Sequence, residues 1–97
     1  MMTHPDTITD MIAQEEINRM RWAARRGMLE LDLVLGPFVV SRYAQLSPPD
    51  RHRFEQLMQC EDQDLFAWFM QRAQPDEELA GIVSQILQFA RTAPEDR

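Results

Sequence analysis

The chain contains no lysine: its ten basic residues are all arginine, set against sixteen acids for a net charge of −6. That deficit of positive charge argues against a nucleic-acid binder, which must neutralise phosphates over an extended basic face. A single cysteine, Cys60, excludes an intrachain disulfide and fits a reducing, cytoplasmic setting. The three glycines, at 27, 36 and 81, are isolated, which excludes a glycine-rich phosphate loop. No apolar run reaches the ~18 residues of a membrane span, so no membrane insertion is expected. Residues 1–10 lack the basic-then-apolar order of a secretory signal.

Catalytic groupings are equally scarce. His4, His52 and Cys60 share no ligand spacing of the CxxC or HExxH kind, so no metal site is expected. His52 and Cys60 sit eight residues apart, about 12 Å along one helix, too far for a nucleophile and its base. Cys60 reads as a small buried hydrophobe. Glu30 and Asp32 are two apart and do not face each other on a helix. No catalytic residue is assigned, and the chain is not expected to be an enzyme.

What is present is a core and a pattern. Hydrophobic residues make up 44% of 97 residues, enough for one domain and one core. The expectation is an all-α, single-domain bundle of five helices over residues 11–91, with flexible tails at 1–10 and 92–97. The first helix runs from about Thr9 to Arg26, with Ala13, Ile17, Met20 and Ala24 as a narrow inner stripe. Gly27 stops it in the left-handed conformation, with Arg25 and Arg26 in the last turn facing the negative dipole end. Leu29, Leu31, Leu33 and Leu35 alternate like a strand, but Leu31, Val34, Leu35 and Phe38 also make a helical stripe. With no partner strand in sight the helix is favoured. Gly36-Pro37 should kink or restart it, and its apolar run continues to about Leu46.

Ser47-Pro48 opens a third helix, with Phe54, Leu57 and Met58 inside. The stretch EDQDLFAWFMQRA should form the most buried helix, ended by Gln74-Pro75. A fifth opens at Asp76–Glu78 and turns Leu79, Ile82, Val83, Ile86 and Ala90 inward. Met20, Met58 and Met70 read as core filler.

The distribution of charge singles out one stretch. Residues 19–26 sum to +4, whereas residues 1–18 sum to −4 and 61–97 to −5. On the helical wheel Trp22 points about 180° from the inner stripe, with Arg19, Arg25 and Arg26 around it. An outward tryptophan ringed by arginine has the composition of an interface hot spot. A second packing face, covered by the N-terminal tail or another helix, would place Trp22 equally well. Met28 is likewise open to two readings, core packing or an adaptable contact. An acid such as Glu30 in a helix's first turn stabilises it by about 0.3–1 kcal/mol whatever else it does. Helix-end electrostatics leaves unexplained why Arg, Trp, Met and Glu gather around one glycine. The residues alone indicate an interaction domain of unknown partner, the arginine patch suiting a negatively charged protein better than a nucleic acid.

Arg26, Gly27 and Glu30 form an RGxxE motif, extended as RRGMLELD, with Arg19 three residues before Trp22 upstream. Farther on, CEDQDLFAWFM carries Cys60, Asp62, Asp64, Leu65 and Trp68. Two such motifs, in this order and over residues 17–90, resemble the SdhE (YgfY-like) family of FAD assembly factors. Gln63 departs from the proline common there. The resemblance implies a five-helix cytoplasmic protein; an exposed Trp22 patch, which could self-associate without a client, leaves monomer and weak homodimer both open. Its partner would be the flavoprotein subunit of succinate dehydrogenase, and of fumarate reductase as a second client. It implies promotion of covalent FAD attachment to a client histidine, with no cofactor tightly bound to the chain and FAD handled in the client. Arg19, Trp22, Arg25, Arg26, Gly27, Met28, Glu30 and Asp32 are the expected partner-binding residues. A rival role is that of a regulatory protein, the antitoxin of a toxin–antitoxin pair.

Overall fold

A computed structural model describes residues 5–92 and Glu95, with side chains described from Gln14 onward. The chain forms α1 (Pro5–Ala23), α2 (Leu29–Arg42), a 3₁₀ turn (Tyr43–Gln45), α3 (Pro48–Met58), α4 (Asp62–Phe69) and α5 (Glu77–Arg91). The described residues contain no strand. The all-α, five-helix expectation holds.

The second helix organises the rest, because it packs against α1, α4 and α5. The leucines that alternate in sequence divide between two faces. Leu31 and Leu35 are fully buried, while Leu29 and Leu33 are 66% and 65% exposed. A strand would have put all four on one side; a period of 3.6 separates them. Phe38 and Val39 complete the inner face, and Phe38 stacks on Phe54 of α3 and meets Phe89 of α5 edge-on, with ring centres 5.8 and 5.5 Å apart. Gly36-Pro37 does not restart the helix as expected, since α2 is continuous to Arg42. Pro37 deprives the Leu33 carbonyl of its donor on the outer side of the helix, where that loss is tolerated, while Phe38 and Val39 anchor the next turn.

Local signals hold elsewhere. Ser47 caps α3, its Oγ accepting the Asp50 amide at 3.3 Å with Pro48 at the first position. Other boundaries shift. Helix α1 opens at Pro5, ahead of Thr9, and closes at Ala23, leaving Arg25 and Arg26 beyond its last turn. Helix α4 closes at Phe69, well before Gln74-Pro75, through Gln71 at φ +58°. The Arg72 amide bonds the Ala67 carbonyl at 2.8 Å and the Gln71 amide the Trp68 carbonyl at 3.1 Å. This is a Schellman ending with glutamine in the position that usually falls to glycine.

That early stop corrects two expectations about packing. Met70 is 40% exposed and is not core filler, unlike Met20 and Met58. Phe66 is only partly buried, so the helix is not apolar on every side toward the core. On α5 Phe89 is buried and Ala90 only half-buried. The stripe of α1 is confirmed at Met20, Ala24 and the packed Ile17; the Ala13 side chain lies outside the described residues. Residues 1–4 of the expected N-terminal tail, and 93, 94, 96 and 97 of the C-terminal one, also lie outside them.

Candidate docking site

Between α1 and α2 the chain turns through Ala24–Met28, and the turn depends on Gly27 at φ +81°, where a side chain would strain the backbone. A Cβ there would meet nothing within 4 Å, so the space above Gly27 is open. The first turn of α2 reaches back across this corner: Asp32 Oδ1 accepts the Arg26 amide at 2.8 Å. The Met28 carbonyl takes the Leu31 and Asp32 amides, starting the helix.

Arg25 and Arg26 are neighbours with opposite destinations. Arg25 is exposed and stacks over Trp22, its guanidinium carbon 5.6 Å from the ring centre. Trp22 is 73% exposed, so among the described residues no helix covers it. The Arg26 side chain is 14% exposed and turns inward. Its Nε donates to Asp62 Oδ1 at 2.7 Å, its Nη1 to the Ala23 and Met58 carbonyls at 2.9 Å, and its Nη2 to the Cys60 carbonyl at 2.8 Å. Four of its five N–H donors are thus engaged within the chain.

Electrostatics explains this choice of partners. Ala23 ends α1 and Met58 ends α3, so these two carbonyls carry the negative partial charge of a helix C-terminus, while the Cys60 carbonyl lies in the link from α3 to α4. Asp62 opens α4, where a carboxylate faces the positive end. One cation therefore joins three helix ends. An open groove of about 600 Å³ runs past it, lined by Arg26, Met28 and the residues 59–63.

The other expected site residues divide between surface and frame. Glu30 is exposed and has no hydrogen-bond or ion-pair partner among the described residues. Gly27 is exposed as well, whereas Met28 and Asp32 are half-buried, Met28 packing against the core. Arg19 pairs with Glu55 of α3 at 3.1 Å on the surface. The corner thus presents Trp22, Arg25, Gly27 and Glu30 outward, with Arg26 and Asp32 holding it from behind.

These residues lie within a match of residues 18–90 to the family described as flavinator of succinate dehydrogenase (Sdh5). The chain belongs to the Sdh5 family. It is 51% identical over 78 residues to the FAD assembly factor SdhE of Pseudomonas savastanoi pv. phaseolicola, covering 79% of this chain and 93% of that protein. With the SdhE of Pseudomonas aeruginosa the figures are 50% over 78 residues, with the same coverage. With that of Shewanella oneidensis they are 52% over 79 residues, 80% of this chain and 94% of the relative.

No group of three or more His, Cys, Asp or Glu among the described residues could hold a metal. No helix described is long and apolar enough to cross a membrane. Cys60 lies half-buried against the core, and burial, then the nearby Asp76 and Asp64 carboxylates, push its thiol above the ordinary range. That disfavours a thiolate nucleophile. In sequence Asp62 shows only as an acid opening a helix, and nothing local points to the carbonyls of Ala23, Met58 and Cys60. The acid at a helix start was visible; its arginine, 36 residues away, was not.

Proposed function

We propose that the chain docks on the flavoprotein subunit of succinate dehydrogenase through the Trp22–Glu30 corner and promotes covalent attachment of FAD to a histidine of that subunit. The observation that carries this reading is the corner itself. A 73% exposed tryptophan, an exposed arginine on its face and a glutamate with no partner among the described residues flank an open glycine, all inside the segment that matches the family. Tryptophan and arginine are the residues most enriched among interface hot spots. Exposed Glu30 can offer its carboxylate to a client cation or amide. Gly27 lets the client backbone come close, because no side chain rises from the turn.

Attachment joins a client histidine to the flavin, and the helper's part is orientation. Holding the client so that the two groups meet in reacting geometry lowers the barrier without a catalytic side chain from the helper. FAD in this reading stays in the client, and the chain is not an enzyme. The fumarate reductase flavoprotein, which needs the same covalent bond, is the second client. The relatives named above are all FAD assembly factors, which favours this reading over a toxin–antitoxin role. Deleting the gene in its host and following flavin fluorescence of the denatured subunit on a gel tests it. Loss of the fluorescent band supports the assignment, and an unchanged band refutes it.

A further inference from the structure

Arg26 supplies most of the polar contacts that tie this corner to α3 and α4. Between Ala24 and Leu31, both buried, the chain runs through exposed Arg25, Gly27, Leu29 and Glu30, and only Met28 packs partly on the core. Gly27 has no neighbour within 4 Å of where a Cβ would lie. Packing therefore does little to fix where Gly27 and Glu30 stand relative to α3 and α4. Arg26 is gripped instead at both ends, its amide by Asp32 and its guanidinium by Asp62 and three carbonyls.

Among those partners Asp62 is distinctive. Among the described residues it supplies the one full negative charge within hydrogen-bond distance of the guanidinium, and it takes Nε, the donor nearest the side-chain stem. Pinning Nε sets the plane in which Nη1 and Nη2 reach their carbonyls. We propose that Asp62 is a positioning residue for client docking: through Arg26 it fixes the Gly27–Glu30 corner against the α3–α4 body, so that the 60–68 motif acts as the brace of the RGxxE motif. This rests on the reading of the corner as the docking site, and it adds a residue that acts through Arg26, although its side chain also borders the open groove.

A double-mutant cycle tests it. The full chain is titrated calorimetrically against the purified flavoprotein subunit of succinate dehydrogenase from the same organism, at a temperature where circular dichroism shows every variant folded. Asp62→Asn, which removes the charge at nearly constant volume, should weaken binding about tenfold, or ~1.4 kcal/mol. Glu30→Ala should weaken it too. Because Asp62 acts through the corner, the double variant should bind no worse than the weaker single variant. Asp62→Glu, which keeps the charge, should recover most of the affinity.

Asp62→Asn binding like the wild type overturns the proposal, even if its melting temperature falls, because the brace is then only structural. Losses that multiply in the double variant also overturn it, since Asp62 then acts independently of the corner. If Glu30→Ala alone binds like the wild type, the docking reading itself fails. Should Asp62→Asn not fold, Arg26→Lys takes its place in the cycle, with non-additivity against Glu30→Ala supporting the brace and additivity refuting it.

Discussion

The Arg25 guanidinium lies over the Trp22 ring at 5.6 Å, and both side chains face solvent on the last turn of α1 and just beyond it. An exposed cation–π pair of this kind contributes about 0.5–1 kcal/mol to the fold, which is too little to explain keeping a large apolar ring in water. Trp22→Ala should therefore shift unfolding free energy by less than about 1 kcal/mol in urea titrations. The same change should weaken client binding by about 2 kcal/mol, near thirtyfold in Kd.

Arg26→Ala should behave in the opposite way, because it leaves three backbone carbonyls and Asp62 without their donor. A loss of about 3 kcal/mol in chemical unfolding is expected. Arg26→Lys should recover only part of it, since an ammonium keeps the charge but not the fork that reaches Ala23, Met58, Cys60 and Asp62 together.

Those two neighbours also show where the sequence was legible. Gly27 and Ser47-Pro48 could be read because their chemistry is local: a left-handed turn and a capped helix start declare themselves within four residues. The division of α2 into buried Leu31 and Leu35 and exposed Leu29 and Leu33 followed from helical period once the strand was set aside. Arg25 and Arg26 differ in nothing local, and what separates them is the arrival of Met58, Cys60 and Asp62 from 32 to 36 residues away. The end of α4 was hidden for another reason. Gln71 takes the left-handed position without being glycine, so no breaker marks the stop and the eye passes on to Pro75.

Gln71 gives a stabilising prediction. At φ +58° a glutamine carries a steric cost that glycine does not. Gln71→Gly should raise stability by about 0.5–1 kcal/mol, less what the more flexible unfolded chain gives back. Its exposed side chain has little packing to lose. Thermal melts of the two proteins side by side provide the check.

Tyr43 predicts a pH effect. Its ring is buried against Phe54 and its hydroxyl donates to Glu16 Oε2 at 2.8 Å. Burial first, and then the Glu16 carboxylate, push the phenol well above its ordinary value. Below about pH 10 the phenol is protonated in both folded and unfolded chains, and its contribution is fully present. As pH rises further the unfolded chain loses that proton first, so stability falls. Wild type should exceed Tyr43→Phe by about 1 kcal/mol at pH 7. That difference should shrink steadily above about pH 10 in urea titrations repeated along the pH scale.

In the proposed function the exposed corner docks a flavoprotein and so drives its flavinylation. The most direct test returns Glu30→Ala and Gly27→Arg to a strain lacking the gene and reads covalent flavin on succinate dehydrogenase by in-gel fluorescence. Circular dichroism of the purified variants runs alongside. Wild type should restore the fluorescent band, and Glu30→Ala should fail to restore it while remaining as helical as wild type. Full restoration by a folded Glu30→Ala protein would contradict the account, as would variants that lose function only because they no longer fold.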